Sequence, residues 1–157
     1  MKVLVATEKP FAAAAVEGIK KEIEGAGNEL VLLEKYTEKA QLLDAVKDVD
    51  AMIIRSDKAD AEVLEAAKNL KIIVRAGYDN IDLAAATAHH VVAENTPGQN
   101  SNAVAELVFG LLVFAVRNFY NGKAGSELKG KKLGILAFGN VGRNVARIAK
   151  GFGMEVA

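Results

Sequence analysis

Short, almost uninterrupted apolar runs alternate with helical stripes along the first hundred residues. The runs are KVLVA (Lys2–Ala6), ELVLL (Glu29–Leu33), AMIIR (Ala51–Arg55), KIIVR (Lys71–Arg75) and VVAEN (Val91–Asn95). Continuous apolar character, in place of strict apolar and polar alternation, predicts strands covered on both faces. Between the runs, Val16, Ile19 and Ile23 recur at spacings of three and four and predict a helix over about residues 10–25. Further helices are expected at about 38–46, at about 60–68 with Asp60 as N-cap and Val63, Leu64 and Ala67 on the apolar side, and shortly after Asp82. Strand and helix in such regular alternation imply right-handed crossovers and a doubly wound parallel sheet.

The second part of the chain has a different pattern. From about Asn102 to Arg117, Val104, Leu107, Val108, Leu111, Leu112 and Ala115 form one wide apolar face, and Phe109, Val113 and Phe114 make the opposite side apolar too. A helix of this kind should be buried by more than one neighbour. The polar stretch RNFYNGKAGSELKGKK (Arg117–Lys132) is the most linker-like of the chain. A new strand, Leu133–Leu136, then runs into a glycine turn and a helix with Val141, Val145, Ile148 and Ala149 on one stripe. The expected fold class is therefore α/β, with a parallel-sheet domain over 1–98 followed by a long helix and one incomplete βα unit over 99–157.

Composition narrows the function without selecting it. Of 157 residues 51% are hydrophobic and 25% charged, as in an ordinary globular protein, and 20 basic residues balance 20 acidic ones. Nothing in that balance attracts nucleic acid or an anionic membrane. The chain has no cysteine, which excludes disulfides, cysteine-ligated zinc and a thiol nucleophile. The opening MKVLVATEKP lacks the features of a signal peptide, and the longest apolar stretch, Ala103 to Val116, contains Glu106 and is too short to span a bilayer. A cytoplasmic location is the expectation.

The turn AFGNVG is an incomplete G-x-G-x-x-G, with Ala137 at the first glycine position and Gly139 and Gly142 at the others. Standing between a strand and a helix, it is placed to bind a pyrophosphate. Gly139 would admit close backbone approach, Gly142 would let the helix pack on the strand, and the helix N-terminus would supply amides and partial positive charge. Glycine turns also join strands to helices where no nucleotide binds. The acid that holds the ribose hydroxyls stands roughly 20 residues further on, at or past Ala157; Glu155 is expected to be a solvated strand residue. His89 and His90 are adjacent and have no acid placed to pair with them, so both are expected at the surface. A phosphoacceptor site is excluded by TEKP, RSDK and ENTPG after the first, third and fifth strands, which lack its paired acids and lysine. TEKPF likewise lacks the hydroxyl-rich loop of a flavin-phosphate site.

Four segments, MIIRSDK, LKIIVRAGYDNIDLAAAT, ENTPGQNSNAVAELVFGLLVFAVRN and LKGKKLGILAFGNVGRNVARIAKGFGMEV, in this order resemble the N-terminal half of the D-2-hydroxyacid dehydrogenase family, most closely its 3-phosphoglycerate dehydrogenase branch. The resemblance implies a flavodoxin-like substrate domain, a long helix leading out of it and the first part of a Rossmann cofactor domain. It implies that Arg55 and Ser56 meet the phosphate side of the substrate, that Asn100 lies near its carboxylate and hydroxyl end, and that Gly139, Asn140, Val141 and Gly142 form the pyrophosphate turn for NAD. A guanidinium suits a phosphate because it donates a bidentate pair of charged hydrogen bonds; Arg55 could instead pair with Asp57 or Asp60.

The family's catalytic arginine, glutamate and histidine belong to the half not represented here, so no catalytic and no metal-binding residue is assigned, and weak or absent NAD binding is expected. The loop RAGYDN is two residues shorter than the family's R-A-G-A-G-x-D-N, and His90 replaces a glycine before its strand. These departures suggest an engineered fragment without activity of its own. The alternative is a redesigned single-domain flavodoxin-like scaffold with no ligand, in which the terminal βα unit folds back to complete the sheet or its helical cover. The apolar helix around Leu111 is expected to join two copies in a homodimer.

Overall fold

The computed structural model describes residues 1–76 and 80–157. It divides into two units, Met1–Thr96 and Pro97–Ala157.

The first unit alternates strands and helices: β1 (Lys2–Thr7), α1 (Ala13–Gly25), β2 (Glu29–Glu34), α2 (Lys39–Ala45), β3 (Ala51–Ile54), α3 (Ala61–Ala66), β4 (Ile72–Arg75), α4 (Leu83–Ala88) and β5 (Val92–Asn95). All strands pair in parallel, in the order β2-β1-β3-β4-β5. This is the flavodoxin-like order, which reverses its direction of growth between β1 and β3. Leu4, Val5, Met52, Ile54, Val63, Leu64 and Ile73 fill the core. Coverage of both faces holds for the central strands but not for the edges, where Leu32 of β2 is 45% exposed and Val92 of β5 55%. An edge strand has a neighbour on one side only, so the helices overlap it less.

Side chains start two of the helices as the sequence suggested. Asp60 accepts from the Val63 amide at 3.2 Å, and Asp82 accepts from the Ala85 amide at 3.0 Å. His89 and His90 are exposed and occupy the turn after α4. His90 takes φ 57°, the left-handed region in which glycine has no steric penalty.

The second unit contains α5 (Ser101–Val116), β6 (Lys132–Leu133), α6 (Asn140–Gly151) and β7 (Glu155–Val156). Ala105, Phe109, Leu128, Val145, Ala149 and Met154 form its own core, and the rings of Phe109 and Phe152 stack at 5.1 Å.

Three expectations need correction here. The strand predicted over Leu133–Leu136 is confined to Lys132–Leu133. Its partner β7 offers only two paired residues, the backbone bonds between the segments run from Lys131 to Ile135 and no further, and Leu136 is wholly exposed. The terminal βα unit does not complete the first sheet; β6 and β7 form a separate two-stranded sheet. Finally, α5 is covered on one side instead of both. Its Ala105 and Phe109 are buried, whereas Val104, Leu107, Leu111 and Phe114 are 38–62% exposed. The core of the unit gathers on the Ala105 and Phe109 side, and on the other stripe Phe114 meets only the largely exposed ring of Phe119 among aromatic neighbours in the described residues.

Gly142 shows why that position admits no side chain. A Cβ there would stand 2.4 Å from the Ala137 carbonyl oxygen and 3.3 Å from Ile135. Ala137, at the first glycine position of the turn, adopts φ 77° despite its methyl group.

Two stability measurements follow from these backbone positions. Gly142→Ala should destabilise by about 1–3 kcal/mol through overpacking against a carbonyl that cannot retreat, read as a lower midpoint in urea. His90→Gly should stabilise by about 0.5–1 kcal/mol, the relief of left-handed strain being partly offset by the greater freedom of glycine in the unfolded chain. A His90→Gly melting temperature at or below the native value would contradict the strain assigned to that turn.

Candidate functional site

Parallel strands send their following loops out from one edge of a sheet, and doubly wound sheets bind ligands there, beside the point of reversal. In the first unit that point lies between β1 and β3. Glu8, Lys9, Pro10 and Phe11 follow β1, and Arg55, Ser56 and Asp57 follow β3.

Arg55 is exposed, and its guanidinium donates to the Pro10 carbonyl at 3.2 Å while lying 6.0 Å from the centroid of the Phe11 ring. Neither acid that might have neutralised it does so. Asp57 turns inward to Tyr36 and backbone amides. Asp60 caps α3 and pairs with Lys39 at 2.8 Å, which holds its carboxyl below the ordinary range against a smaller opposing effect of burial. Among the described residues Arg55 therefore pairs with no carboxylate. Ser56 stands exposed beside it.

A second arginine, not singled out from the sequence, ends β4 on the same edge. The β3–β4 register sets Arg75 opposite Ile54, the residue before Arg55. The Arg75 side chain is half-buried, and its Nε is buried without a hydrogen-bond partner among the described residues. A buried donor left unmatched costs about 1–3 kcal/mol. The signal available in the sequence was an arginine closing an apolar run. The shortened loop in RAGYDN falls on residues 77–79, which lie outside the described residues.

Asn100, Gly139, Asn140, Val141 and Gly142 all belong to the second unit. Asn100 is the N-cap residue of α5, is exposed, and makes no cap hydrogen bond with its side chain. Gly139 is the N-cap residue of α6, and the space where its side chain would stand is open within 4 Å. An open position at one glycine and a forced close approach at Gly142 are what a pyrophosphate turn requires. Asn140 and Val141 begin the helix, whose first amides have no partner within the helix. Glu155 pairs loosely with Lys132 at 3.5 Å across the β6–β7 ladder and is exposed. The turn thus fits a dinucleotide phosphate, while no described acid is placed for the ribose.

Polar side chains connect the two helices. Asn144 of α6 donates to Ser101 Oγ of α5 at 3.3 Å, and Arg147 donates to Asn102 Oδ1 at 2.6 Å. Ser101, adjacent to Asn100, is buried. Among the described residues no group of three or more His, Asp or Glu side chains is gathered to hold a metal, and no helix is long and apolar enough to cross a membrane.

Comparison with known proteins agrees with this geometry. Residues 3–151 match the family model of the D-isomer specific 2-hydroxyacid dehydrogenase catalytic domain. The crystal structure of NAD+-bound 3-phosphoglycerate dehydrogenase from Entamoeba histolytica is similar with a TM-score of 0.95 and 49% identity, over 99% of this chain and 52% of that one. A hydroxypyruvate reductase of Thermotoga maritima is 40% identical over 82% of this chain and 47% of its own length. A D-3-phosphoglycerate dehydrogenase of Archaeoglobus fulgidus is 38% identical over 99% of this chain and 31% of its own length. The chain spans about half the length, or less, of these relatives. With nearly all of its residues matched in order, this chain belongs to the D-2-hydroxyacid dehydrogenase family.

Proposed function

We propose that this chain carries the substrate-side half of an NAD-dependent 3-phosphoglycerate dehydrogenase, and that its 157 residues do not complete the reaction alone. The observation that carries this reading is Arg55, an exposed guanidinium that pairs with no carboxylate among the described residues, on the loop edge of the sheet at its point of reversal. A phosphate ester offers several charged acceptors to such a guanidinium. Hydroxypyruvate and glyoxylate lack that group.

In the parent reaction, NAD accepts a hydride from C2 of the hydroxyacid. On this reading Arg55 and Ser56 grip the phosphate, Asn100 orients the carboxylate and hydroxyl end, and Gly139, Asn140, Val141 and Gly142 receive the pyrophosphate. A general base must take the hydroxyl proton as the hydride leaves. The two histidines present, His89 and His90, are exposed after α4 at the opposite end of β5 from the loops of the candidate site. A cytoplasmic setting suits such metabolism. The single-domain scaffold is less favoured, because the terminal unit has its own core and sheet.

The exposed stripe of α5 supports a homodimer on the same reading. Burying one Leu or Phe side chain is worth about 1.5–3 kcal/mol. Leu107, Leu111 and Phe114 stand in one row, with Phe119 packed edge-to-face on Phe114 at 5.4 Å. A second copy presenting the same stripe would cover it by symmetric packing.

Purified 157-residue chain mixed with 3-phosphoglycerate and NAD should give a flat NADH absorbance trace; turnover that copurifies with the protein would overturn the expected inactivity. NAD titrated by calorimetry should bind only in the millimolar range, at about −4 kcal/mol or weaker, because no acid among the described residues is placed for the ribose. A low-micromolar constant would show that the half-site suffices. Light scattering at high micromolar concentration should report a dimer that Leu111→Glu converts to monomer. A native monomer would end the dimer proposal.

A further inference from the structure

The loop that carries Arg55 is held from below by a buried carboxylate that phosphate binding does not itself use. Asp57 is 3% exposed. Its Oδ1 accepts from the Tyr36 hydroxyl at 2.7 Å and from the Glu8 amide at 2.8 Å. Its Oδ2 accepts, at longer range, from the amides of Arg55 at 3.4 Å and Ser56 at 3.3 Å. These donors come from the segments that follow β1, β2 and β3, so one carboxylate joins three loops. Tyr36 is itself buried, and burial first, then its bond to Asp57, raise its pKa far above the ordinary value, which keeps the hydroxyl a donor.

Burying a carboxylate without a cation is costly unless hydrogen bonds fill its lone pairs. Here the donors filling them are the backbone amides of Arg55 and Ser56 and the amide of Glu8. Glu8 begins the loop whose Pro10 and Phe11 support the Arg55 guanidinium. Asp57 therefore holds both the backbone from which Arg55 projects and the platform on which its side chain rests.

We propose that Asp57, together with Tyr36, is the positioning residue that presents Arg55 to the phosphate. This rests on the reading of Arg55 as a phosphate ligand. The sign of one effect separates positioning from charge alone. Asp57 is a negative group beneath an anion site, so if it acted only through its charge, neutralising it would tighten anion binding. If it positions Arg55, neutralising it will weaken binding.

The test uses the isotope-labelled 157-residue chain, titrated separately with 3-phosphoglycerate and with inorganic phosphate while NMR follows the Arg55 amide and side-chain Nε–H. In the native chain the ester should bind more tightly than phosphate, and Arg55→Ala should abolish both shifts. Tyr36→Phe and Asp57→Asn should each weaken binding of the ester by about tenfold or more, since misplacement on the ångström scale is costly to a geometric grip. Melting of Tyr36→Phe, which keeps the ring and the Asp57 charge, should stay close to native, so its lost affinity is not lost fold. Unchanged or tighter binding in Asp57→Asn, with Arg55→Ala still inactive, would overturn positioning and leave the phosphate reading intact. Should Asp57→Asn fail to fold, Tyr36→Phe decides, and native affinity there overturns the proposal. A native chain with no Arg55 response to either ligand overturns the reading and the proposal with it.

Discussion

In the first unit β1 runs between β2 and β3, parallel to both, and the rest of the candidate site depends on that arrangement. Parallel pairing sends the loops after all three strands out of the same edge. Residues far apart in sequence, such as Glu8, Tyr36 and Asp57, become hydrogen-bonded neighbours there. The apolar strands Val3–Ala6 and Ala51–Ile54 set this register by burial, since a slip would drive backbone amides and side chains out of alignment across the sheet. The next register pair, Ile54 with Arg75, closes β4 at the same edge from which the Arg55 loop leaves β3. The chemistry at the edge is thus a consequence of the core beneath it.

The second unit achieves its placement by close approach. Gly142 brings α6 against the Ala137 carbonyl, and the stacked rings of Phe109 and Phe152 join α5 to the segment after α6. Polar bonds from Asn144 to Ser101 and from Arg147 to Asn102 then fix the N-terminal end of α5 against the middle of α6. Asn100 and the glycine turn, assigned to opposite partners in the family's reaction, consequently belong to one two-helix framework. Part of this framework is strained, since Ala137 takes a left-handed conformation where glycine would be relaxed.

Much of this architecture was legible in the sequence because it rests on local rules. Continuous apolar runs marked the five strands, recurrence at three and four marked the helices, and Asp60 was recognisable as an N-cap from its position alone. Gly142 could be read as a contact glycine because strand–turn–helix units leave no room at that step. The assignment of Arg55 came from resemblance, and its lack of a partner could not be read from spacing, since Asp57 and Asp60 were equally near in sequence.

Tertiary packing decided what local pattern left open. Leu133–Leu136 has the composition of a strand, but a strand is defined by its partner, and β7 supplies only two paired residues. The helix from Ser101 to Val116 is apolar on all sides, so its pattern could not say which stripe would be covered; the packing of Val145, Ala149 and Met154 selected Ala105 and Phe109. Asp57 looked like a possible surface partner for Arg55, and it became buried because Tyr36, 21 residues away, and Glu8, 49 residues away, converge on it. Chain-local preferences act over a turn of helix or a step of strand and are therefore written in the sequence. The pairing of a buried charge or an apolar stripe depends on which distant segments the fold brings within hydrogen-bonding or van der Waals reach, and only the tertiary structure determines that.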